Sequence, residues 1–110
     1  MSDSDPPEQG PTGADGPSFC FVDNVAASRF EVLADGEVVG VCDYVLSASE
    51  VVLPHTMTFP SMRGNGLASR LVRFALDDLA QRNLRVVPTC WFVAEFIAAN
   101  PEYRRLLVPA

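Results

Sequence analysis

The sequence has no lysine, and it holds only one histidine, one tryptophan and three cysteines in 110 residues. The three cysteines, Cys20, Cys42 and Cys90, are odd in number and widely spaced, which argues against a disulfide framework. No apolar run approaches the ~20 residues that a helix needs to span a bilayer. The acidic, polar N-terminus differs from secretory and mitochondrial targeting segments. We therefore expect a cytoplasmic protein with reduced thiols and no membrane partner.

Positive charge is also scarce, since eight arginines stand against 14 acidic residues and the formal net charge is −6. Part of the imbalance comes from Asp3, Asp5, Glu8 and Asp15 near the N-terminus. The other ten acidic residues and the eight arginines leave a net charge of −2 on the rest of the chain. A domain so nearly balanced gives no electrostatic reason to expect a nucleic-acid partner.

Residues 1–18 differ in composition from the rest of the chain. They contain four prolines, three glycines and four acidic residues, with no basic residue and no large apolar residue after Met1. Such a segment buries too little apolar surface to offset the entropy lost on ordering it. The composition predicts a disordered acidic tail over residues 1–18 and one small folded domain over residues 19–110.

Three antiparallel strands are predicted in the first half of the domain. Polar and apolar residues alternate before Asp35-Gly36, a dipeptide typical of tight hairpin turns. The strands are expected over residues 28–33, 38–46 and 50–59.

The third strand carries a mixed set of side chains. A period of two predicts that one face holds Val51, Leu53, His55, Met57 and Phe59. Pro54 has no backbone N–H, so it indicates a sheet edge, a bulge or a local separation from a neighbouring strand.

The hydrophobic period changes in the second half of the domain. Apolar residues take the spacing of an amphipathic helix at Ala68, Leu71, Val72, Ala75, Leu76 and Leu79. A short strand over residues 84–87, a helix over 92–99 and a last short helix over 102–107 follow. The order predicts an α+β fold: a sheet of about four strands, the long helix on one face, and one or two C-terminal helices.

Residues 63–70, R-G-N-G-L-A-S-R, join the third strand to the long helix. A helix N-terminus presents unpaired amides and partial positive charge, which suit an anion. Gly64 and Gly66 allow backbone conformations that form an anion-binding concavity, and the two terminal arginines add charge. The same residues also suit plain helix capping, with Asn65 as the cap. The local pattern leaves phosphate binding and capping both open.

Two common phosphate-binding motifs are excluded. The segment lacks the G-K-[S/T] of a P-loop, and it lacks the third glycine and the parallel βαβ context of a dinucleotide-binding turn. What remains, Arg63-x-x-Gly66-x-Ala68, resembles the [Q/R]-x-x-G-x-[G/A] signature of the GNAT N-acetyltransferase superfamily. In that family the amides of the loop hold the pyrophosphate of acetyl-coenzyme A.

Three further segments make the chain similar to the short, single-domain GNAT-like branch. They are His55-Thr56, the stretch from Val87 through Pro88-Thr89-Cys90 to Val93, and Pro101-Glu102-Tyr103. The resemblance runs from residue 28 to residue 108 and implies a GNAT-like fold that binds acetyl-CoA or coenzyme A. The cofactor-binding residues that it implies are Thr58, Arg63, Gly64, Asn65, Gly66, Leu67, Ala68, Ser69 and Arg70.

Cys90 is the first candidate catalytic residue, because it lies at a predicted helix start, where the dipole favours a thiolate. The resemblance places this thiol near the acetyl thioester, as a nucleophile or acetyl acceptor. Most GNAT enzymes instead transfer the acetyl group directly to an amine. The alternative is a small buried hydrophobe. Cys20 and Cys42 have no such context and are expected to be structural. His55, the second candidate, is either a base beside the thioester or a structural, hydrogen-bonded histidine.

Two aromatic residues have two interpretations each. The resemblance makes Tyr103 a donor to the leaving thiolate, whereas its place near the C-terminus equally suits packing of the last helix onto the sheet. Trp91 stands where the branch often has proline, and it either narrows the acyl site or fills core. Asn100 stands where the branch often has histidine, so this chain lacks the titratable side chain at that position.

The resemblance implies acetyl transfer from acetyl-CoA to an unknown acceptor, expected to be an amine, with no metal. A monomer or at most a weak dimer is expected. The first rival interpretation is a non-catalytic coenzyme A or acyl-CoA binding module or sensor. The second is a structural domain whose capped turn binds nothing.

Overall fold

The computed structural model describes residues 18–59 and 66–108. The predicted tail over residues 1–18 lies outside this part except for Ser18, so the domain boundary stays a prediction. The strands are β1 Phe19–Asn24, β2 Arg29–Ala34, β3 Glu37–Ser47, β4 Glu50–Thr58 and β5 Arg85–Val87. The α-helices are α1 Leu67–Gln81 and α2 Trp91–Ala99, and 3-10 helices span Val25–Ala27 and Pro101–Leu106.

The strands form one mixed sheet in the order β1-β2-β3-β4-β5. The pairs from β1 to β4 are antiparallel, and β5 runs parallel to β4. The turn between β2 and β3 has positive φ at Asp35 (50°) and Gly36 (89°), as a tight type I′ hairpin turn requires. The predicted α+β class and the hairpin are therefore confirmed, with five strands in the described residues instead of about four.

The added strand is β1, which the sequence patterns did not reveal. Its Phe-Cys-Phe-Val run lacks the alternation of a half-buried strand, and it follows directly on the proline- and glycine-rich segment. In the structure it pairs with β2 from Phe19 opposite Ala34 onward. Phe21 also packs on Phe74 of α1, with 5.8 Å between ring centroids. Contacts distant in sequence therefore make this segment a strand.

The strand β4 contains a bulge beside Pro54, one of the three situations that the proline indicated. Asp43 of β3 pairs with His55, whereas Val45 pairs with Val52, so the register shifts by one residue between these pairs. The shift leaves one extra residue in β4. A one-residue shift turns every following side chain to the opposite face of the sheet.

The prediction that every second residue of β4 lies on one face is wrong beyond Leu53, because the bulge interrupts the alternation. Thr56 is opposite Cys42 on the face that packs against α1, while His55 is opposite Asp43 on the other face. Regular alternation would keep His55 on the same face as the buried Leu53, but the extra residue places His55 on the opposite face.

The helix α1 packs on one face of the sheet and supplies much of the core. Its buried side chains are Leu67, Leu71, Val72, Ala75, Leu76 and Leu79. These follow the predicted spacing, except that Ala68 is half-buried and Leu67 takes its place. The segment predicted as a last α-helix forms the 3-10 helix Pro101–Leu106. Across residues 18–59 and 66–108, no helix has both the length and the apolar character that crossing a membrane requires.

Candidate functional site

A cleft opens where β4 and β5 diverge. The two strands pair only over Glu50–Val52 of β4, and the chain after β5 then leaves the sheet. The cleft has a volume of about 460 Å³, and its lining residues are Pro54, His55, Thr56, Met57, Thr58, Ala68, Thr89, Cys90, Trp91 and Phe92. Within the described part of the chain, β4 has no strand partner on this side beyond Val52. Its outward amides and carbonyls can therefore bond an extended ligand, as sheet edges do.

Cys90 lies in the wall of this cleft. It is the N-cap residue of α2, in an extended conformation with φ −81° and ψ 125°. Its backbone N–H donates to the carbonyl of Leu53, with 3.0 Å between the atoms, so the bulged strand fixes the start of α2. The side chain is half-buried and keeps one side toward the cleft. The sequence prediction placed Cys90 at this strand-to-helix junction, and the structure does too.

Thr56 connects Cys90 to a second thiol. The Cys90 thiol donates to Thr56 Oγ1 with 3.9 Å between the atoms, and the Thr56 hydroxyl donates to Cys42 Sγ at 3.7 Å. Cys42 is fully buried, and this burial raises the pKa of its thiol to about 11. Cys42 is thus part of the core, as expected, but it also lies two hydrogen bonds from the candidate nucleophile. The sequence prediction gave no role to Thr56. The only sign of its orientation in the sequence is Pro54, which indicated a bulge that would turn the following side chains to the opposite face.

His55 lines the cleft but leaves β4 on the face opposite Thr56. Its Nδ1 lies 3.1 Å from Asp43 Oδ2, and the imidazole side chain is 55% exposed. This pair crosses from β4 to β3 and orients the ring away from the α1 face. The imidazole is therefore hydrogen-bonded and lies on the other side of the strand from the Cys90 thiol; a role as a base stays a prediction.

The first turn of α1 borders the same cleft through Ala68. The helix begins after Gly66, which is its N-cap with φ 68° and ψ 17°. A glycine has no side chain with which to cap a helix, so it leaves the first amides, those of Leu67, Ala68 and Ser69, directed out of the helix end. A Cβ at Gly66 would meet no atom within 4 Å. Arg63, Gly64 and Asn65 lie outside the described residues.

The other predicted phosphate contact, Arg70, lies one turn into α1. Its guanidinium carbon is 5.3 Å from the ring centroids of both Phe19 and Phe21. These cation–π contacts hold the side chain toward β1, the strand that the sequence patterns missed. The backbone N–H of Arg70 donates to the carbonyl of Gly66, so only its side chain remains for a ligand.

Tyr103 has a packing role. It is 4% exposed, and its hydroxyl donates to Asp77 Oδ1 at 2.7 Å while Arg73 donates to the same hydroxyl at 3.1 Å. Burial is the main cause that raises the pKa of Tyr103. Its hydroxyl therefore joins the C-terminal 3-10 helix to α1 and does not serve the cleft.

The structure also shows the surroundings of Trp91 and Asn100, the two residues that depart from the branch pattern. Trp91 is 75% exposed and lines the cleft, so it does not fill core. Asn100 accepts from Arg73 and donates to the carbonyl of Phe96, which makes it part of the C-terminal packing. Among the described residues that line the cleft there is neither a carboxylate nor an arginine.

The sheet is mixed, it splays after its fourth strand, and a helix that starts at a glycine packs on one face. This is the architecture expected of a GNAT-like acyltransferase domain. Residues 29–106 match the family model described as GCN5-related N-acetyl-transferase. The chain belongs to this family. The resemblance drawn from the turn at residues 63–70 and the three further segments is therefore confirmed.

Curated relatives are similar over part of their length. The chain is 38% identical over 61 residues to Protein NATD1 of Bos taurus and 34% identical over 61 residues to Protein NATD1 of Homo sapiens. Each match covers 54% of this chain and 54% of the relative. The chain thus spans about half the length of the curated relatives it matches.

Solved structures share the fold. A GCN5-like protein of Staphylococcus aureus, solved by NMR, has a TM-score of 0.63 at 14% identity over 86% of this chain and 91% of that one. The ribosomal-protein-S18-alanine N-acetyltransferase of Escherichia coli has a TM-score of 0.52 at 17% identity over 70% of this chain and 46% of that one. Identities this low show the fold alone, and the predicted GNAT-like fold is confirmed.

Proposed function

We propose that this domain binds acetyl-CoA in the cleft between β4 and α2 and transfers the acetyl group to an amine, with Cys90 as the acetyl-accepting thiol. The observation that carries the proposal is the position of Cys90. Its half-buried thiol lines a cleft bounded by an open strand edge and by the first turn of a glycine-started helix.

The binding half of the proposal rests on backbone groups. The pyrophosphate would take the amides of residues 63–68, where the partial positive charge of the α1 N-terminus favours an anion. Gly66 adds no side chain that holds a phosphate away from these amides. The amide-rich pantetheine arm would lie along the open edge of β4 from Pro54 to Thr58, which directs the thioester toward Cys90. Arg63 and Arg70 would supply charge near the phosphates.

The chemical half of the proposal uses the Cys90 thiolate. It attacks the carbonyl carbon of the acetyl thioester, a new C–S bond forms, and the coenzyme A thiolate leaves and takes a proton from solvent. A neutral amine then attacks the acetyl–Cys90 thioester, the amide forms, and the proton released by the amine returns to the Cys90 sulfur. In this scheme His55 lies on the other face of β4, and its contact with Asp43 orients this wall of the cleft.

Intact mass spectrometry after incubation with acetyl-CoA tests this function. We expect one acetyl group on the wild-type protein and none on Cys90→Ala, because this variant lacks the accepting sulfur. Cys20→Ala is the matched control, since Cys20 is exposed and lies outside the cleft, and it should acetylate like the wild type. A wild-type protein that binds acetyl-CoA in calorimetry yet stays unmodified contradicts the covalent route.

A second candidate function is a coenzyme A or acyl-CoA binding module without turnover. The observation that favours it is the absence of a carboxylate among the described lining residues, because a cationic or amine acceptor would normally be held by such a group. An acceptor screen that follows release of free coenzyme A thiol separates the two functions. Thiol release that depends on an added amine identifies the transferase, and binding without release identifies the module.

A further inference from the structure

Two of the three cysteines lie on either side of one threonine. The hydrogen bonds run from the Cys90 thiol to Thr56 Oγ1 at 3.9 Å, and from the Thr56 hydroxyl to Cys42 Sγ at 3.7 Å. Thr56 and Cys42 are directly opposite each other in the β3–β4 pairing, so the sheet fixes their separation. The bulge beside Pro54 turns Thr56 to this face. The three groups therefore form one chain from the cleft into the core.

The direction of this chain depends on the protonation of Cys90. A thiol and a hydroxyl each carry one hydrogen. The donors of the two hydrogen bonds therefore point either inward, from Cys90 through Thr56 to Cys42, or outward, from Cys42 through Thr56 to Cys90. The inward direction requires a protonated Cys90. A Cys90 thiolate has no hydrogen to donate, so Thr56 must then donate to Cys90 and accept from Cys42.

We infer that Thr56 is a positioning residue that reverses its hydroxyl hydrogen bond when Cys90 is deprotonated, with the Cys42 thiol donating behind it. No proton passes between residues in this reversal, because the Thr56 hydroxyl and the Cys42 thiol only rotate about their C–O and C–S bonds. The single proton that leaves is that of Cys90, and it goes to water in the open cleft. The thiolate then keeps a fixed donor at its side.

Cys42 suits the donor role because it stays protonated. Its side chain is fully buried, and burial raises the pKa of Cys42 to about 11. At neutral pH a second thiolate does not form behind Thr56, so the outward direction of the chain is the available one. The buried Cys42 thiol is thus both a part of the core and the donor to Thr56 in this arrangement.

Few other ionisable side chains lie near Cys90. From β4 and β3 these are His55, which leaves the strand on the opposite face, and Asp43, which it contacts at 3.1 Å. The lining residues from α1 and α2 are Ala68, Trp91 and Phe92, and none of them carries a charge. Within the described residues, the hydroxyl of Thr56 is the side-chain partner bonded to the Cys90 sulfur.

The inference rests on the proposed function only in that the Cys90 thiolate is taken to accept the acetyl group. The hydrogen-bond reversal itself can therefore be tested without acetyl-CoA. The measurement is the rate of Cys90 alkylation by iodoacetamide from about pH 6 to about pH 10, a range that brackets ordinary thiol pKa values. Intact mass follows the reaction in a Cys20→Ser background, because the exposed Cys20 would otherwise react as well.

Thr56→Val removes the hydroxyl and keeps the branched shape of the side chain. We expect the midpoint of the pH–rate curve to rise by about one pH unit and the rate at neutral pH to fall roughly tenfold. Thr56→Ser keeps the hydroxyl and should stay within about twofold of the parent. Cys42→Ala should raise the midpoint in the same direction by less, and Cys42→Ser should restore it, because serine donates in place of the thiol.

An unchanged midpoint in a folded Thr56→Val protein overturns the inference, and so does an equal rise in Thr56→Ser. If circular dichroism shows that Thr56→Val does not fold, the pair Cys42→Ala and Cys42→Ser decides by the same comparison. Calorimetry with acetyl-CoA on the parent keeps the two proposals apart. Failure to bind refutes the proposed function, while a raised midpoint in Thr56→Val still supports the hydrogen-bond reversal.

Discussion

Glu31 shows how a single buried charge is accommodated in a small domain. It is 5% exposed and lies on the sheet face opposite α1. Its carboxylate accepts from Arg29 Nε at 2.7 Å and from the Asn24 amide at 3.0 Å. The hydrogen bond from Arg29 is the largest cause that lowers the pKa of Glu31 below its ordinary value of 4.5. The carboxylate is therefore held in its charged form by Arg29 on its own strand and by Asn24 on the adjacent strand β1.

Glu31→Gln should flatten the acid limb of the stability curve. The folded pKa of Glu31 lies below the unfolded value, so the stabilisation is complete above about pH 4.5 and is lost as the pH falls through the folded pKa. Urea unfolding between neutral and acid pH measures this slope. Glu37→Gln, at the exposed first position of β3, is the control and should keep the slope of the wild type. Equal slopes in wild type and Glu31→Gln would contradict this assignment.

At the scale of elements, the start of α1 depends on a left-handed glycine. Gly66 has φ 68° with open space around its missing Cβ, so an alanine there costs conformational energy without a clash. Gly36 in the β2–β3 turn has the same properties, with φ 89° and no atom within 4 Å of a built Cβ. The two glycines are therefore a matched pair for stability, and only Gly66 borders the proposed anion-binding turn.

Gly66→Ala should weaken acetyl-CoA binding, whereas Gly36→Ala should not. Both variants should lose about 1–2 kcal/mol of unfolding free energy, because alanine disfavours positive φ. In Gly66→Ala the added methyl group also occupies the space through which a phosphate would approach the α1 amides. Calorimetric titration at a temperature where both variants remain folded measures the difference. Equal affinities in the two variants would remove the support that Gly66 gives to the phosphate site.

At the scale of the whole molecule, β1 connects both ends of α1 to the sheet. Near the start of the helix, Arg70 stacks on Phe19 and Phe21. At its C-terminal cap, Arg82 donates to Asp23 Oδ2 at 2.6 Å. The edge strand therefore positions the helix whose first turn borders the cleft.

Two N-terminal truncations should differ sharply in stability. Removal of residues 1–17 should leave the unfolding free energy unchanged, since this segment is predicted to be a disordered tail that buries little. Removal of residues 1–24 also deletes β1 with its two phenylalanines, and should cost about 3 kcal/mol or more. Thermal and urea unfolding measure both. A large loss from the shorter truncation would refute the predicted domain boundary at residue 19.

The sequence alone determined the features that depend on neighbours in the chain. The Asp35-Gly36 turn, the apolar spacing of α1 and the junction at Cys90 are set within a few residues, so local patterns revealed them. The motif around Gly66 indicated the family in the same way. Pro54 indicated that β4 departs from regular pairing, because a residue without a backbone N–H cannot complete a ladder.

Only the tertiary structure decided which side chains meet. The bulge in β4 reverses the face of every residue after it, so Thr56 joins Cys42 and Cys90 while His55 turns to Asp43. The strand β1 forms because β2 offers it an edge. These outcomes depend on register and on contacts between distant segments, and hydrophobic periodicity carries no information about either. The arrangement of side chains beside Cys90 is therefore set by a one-residue shift between two strands.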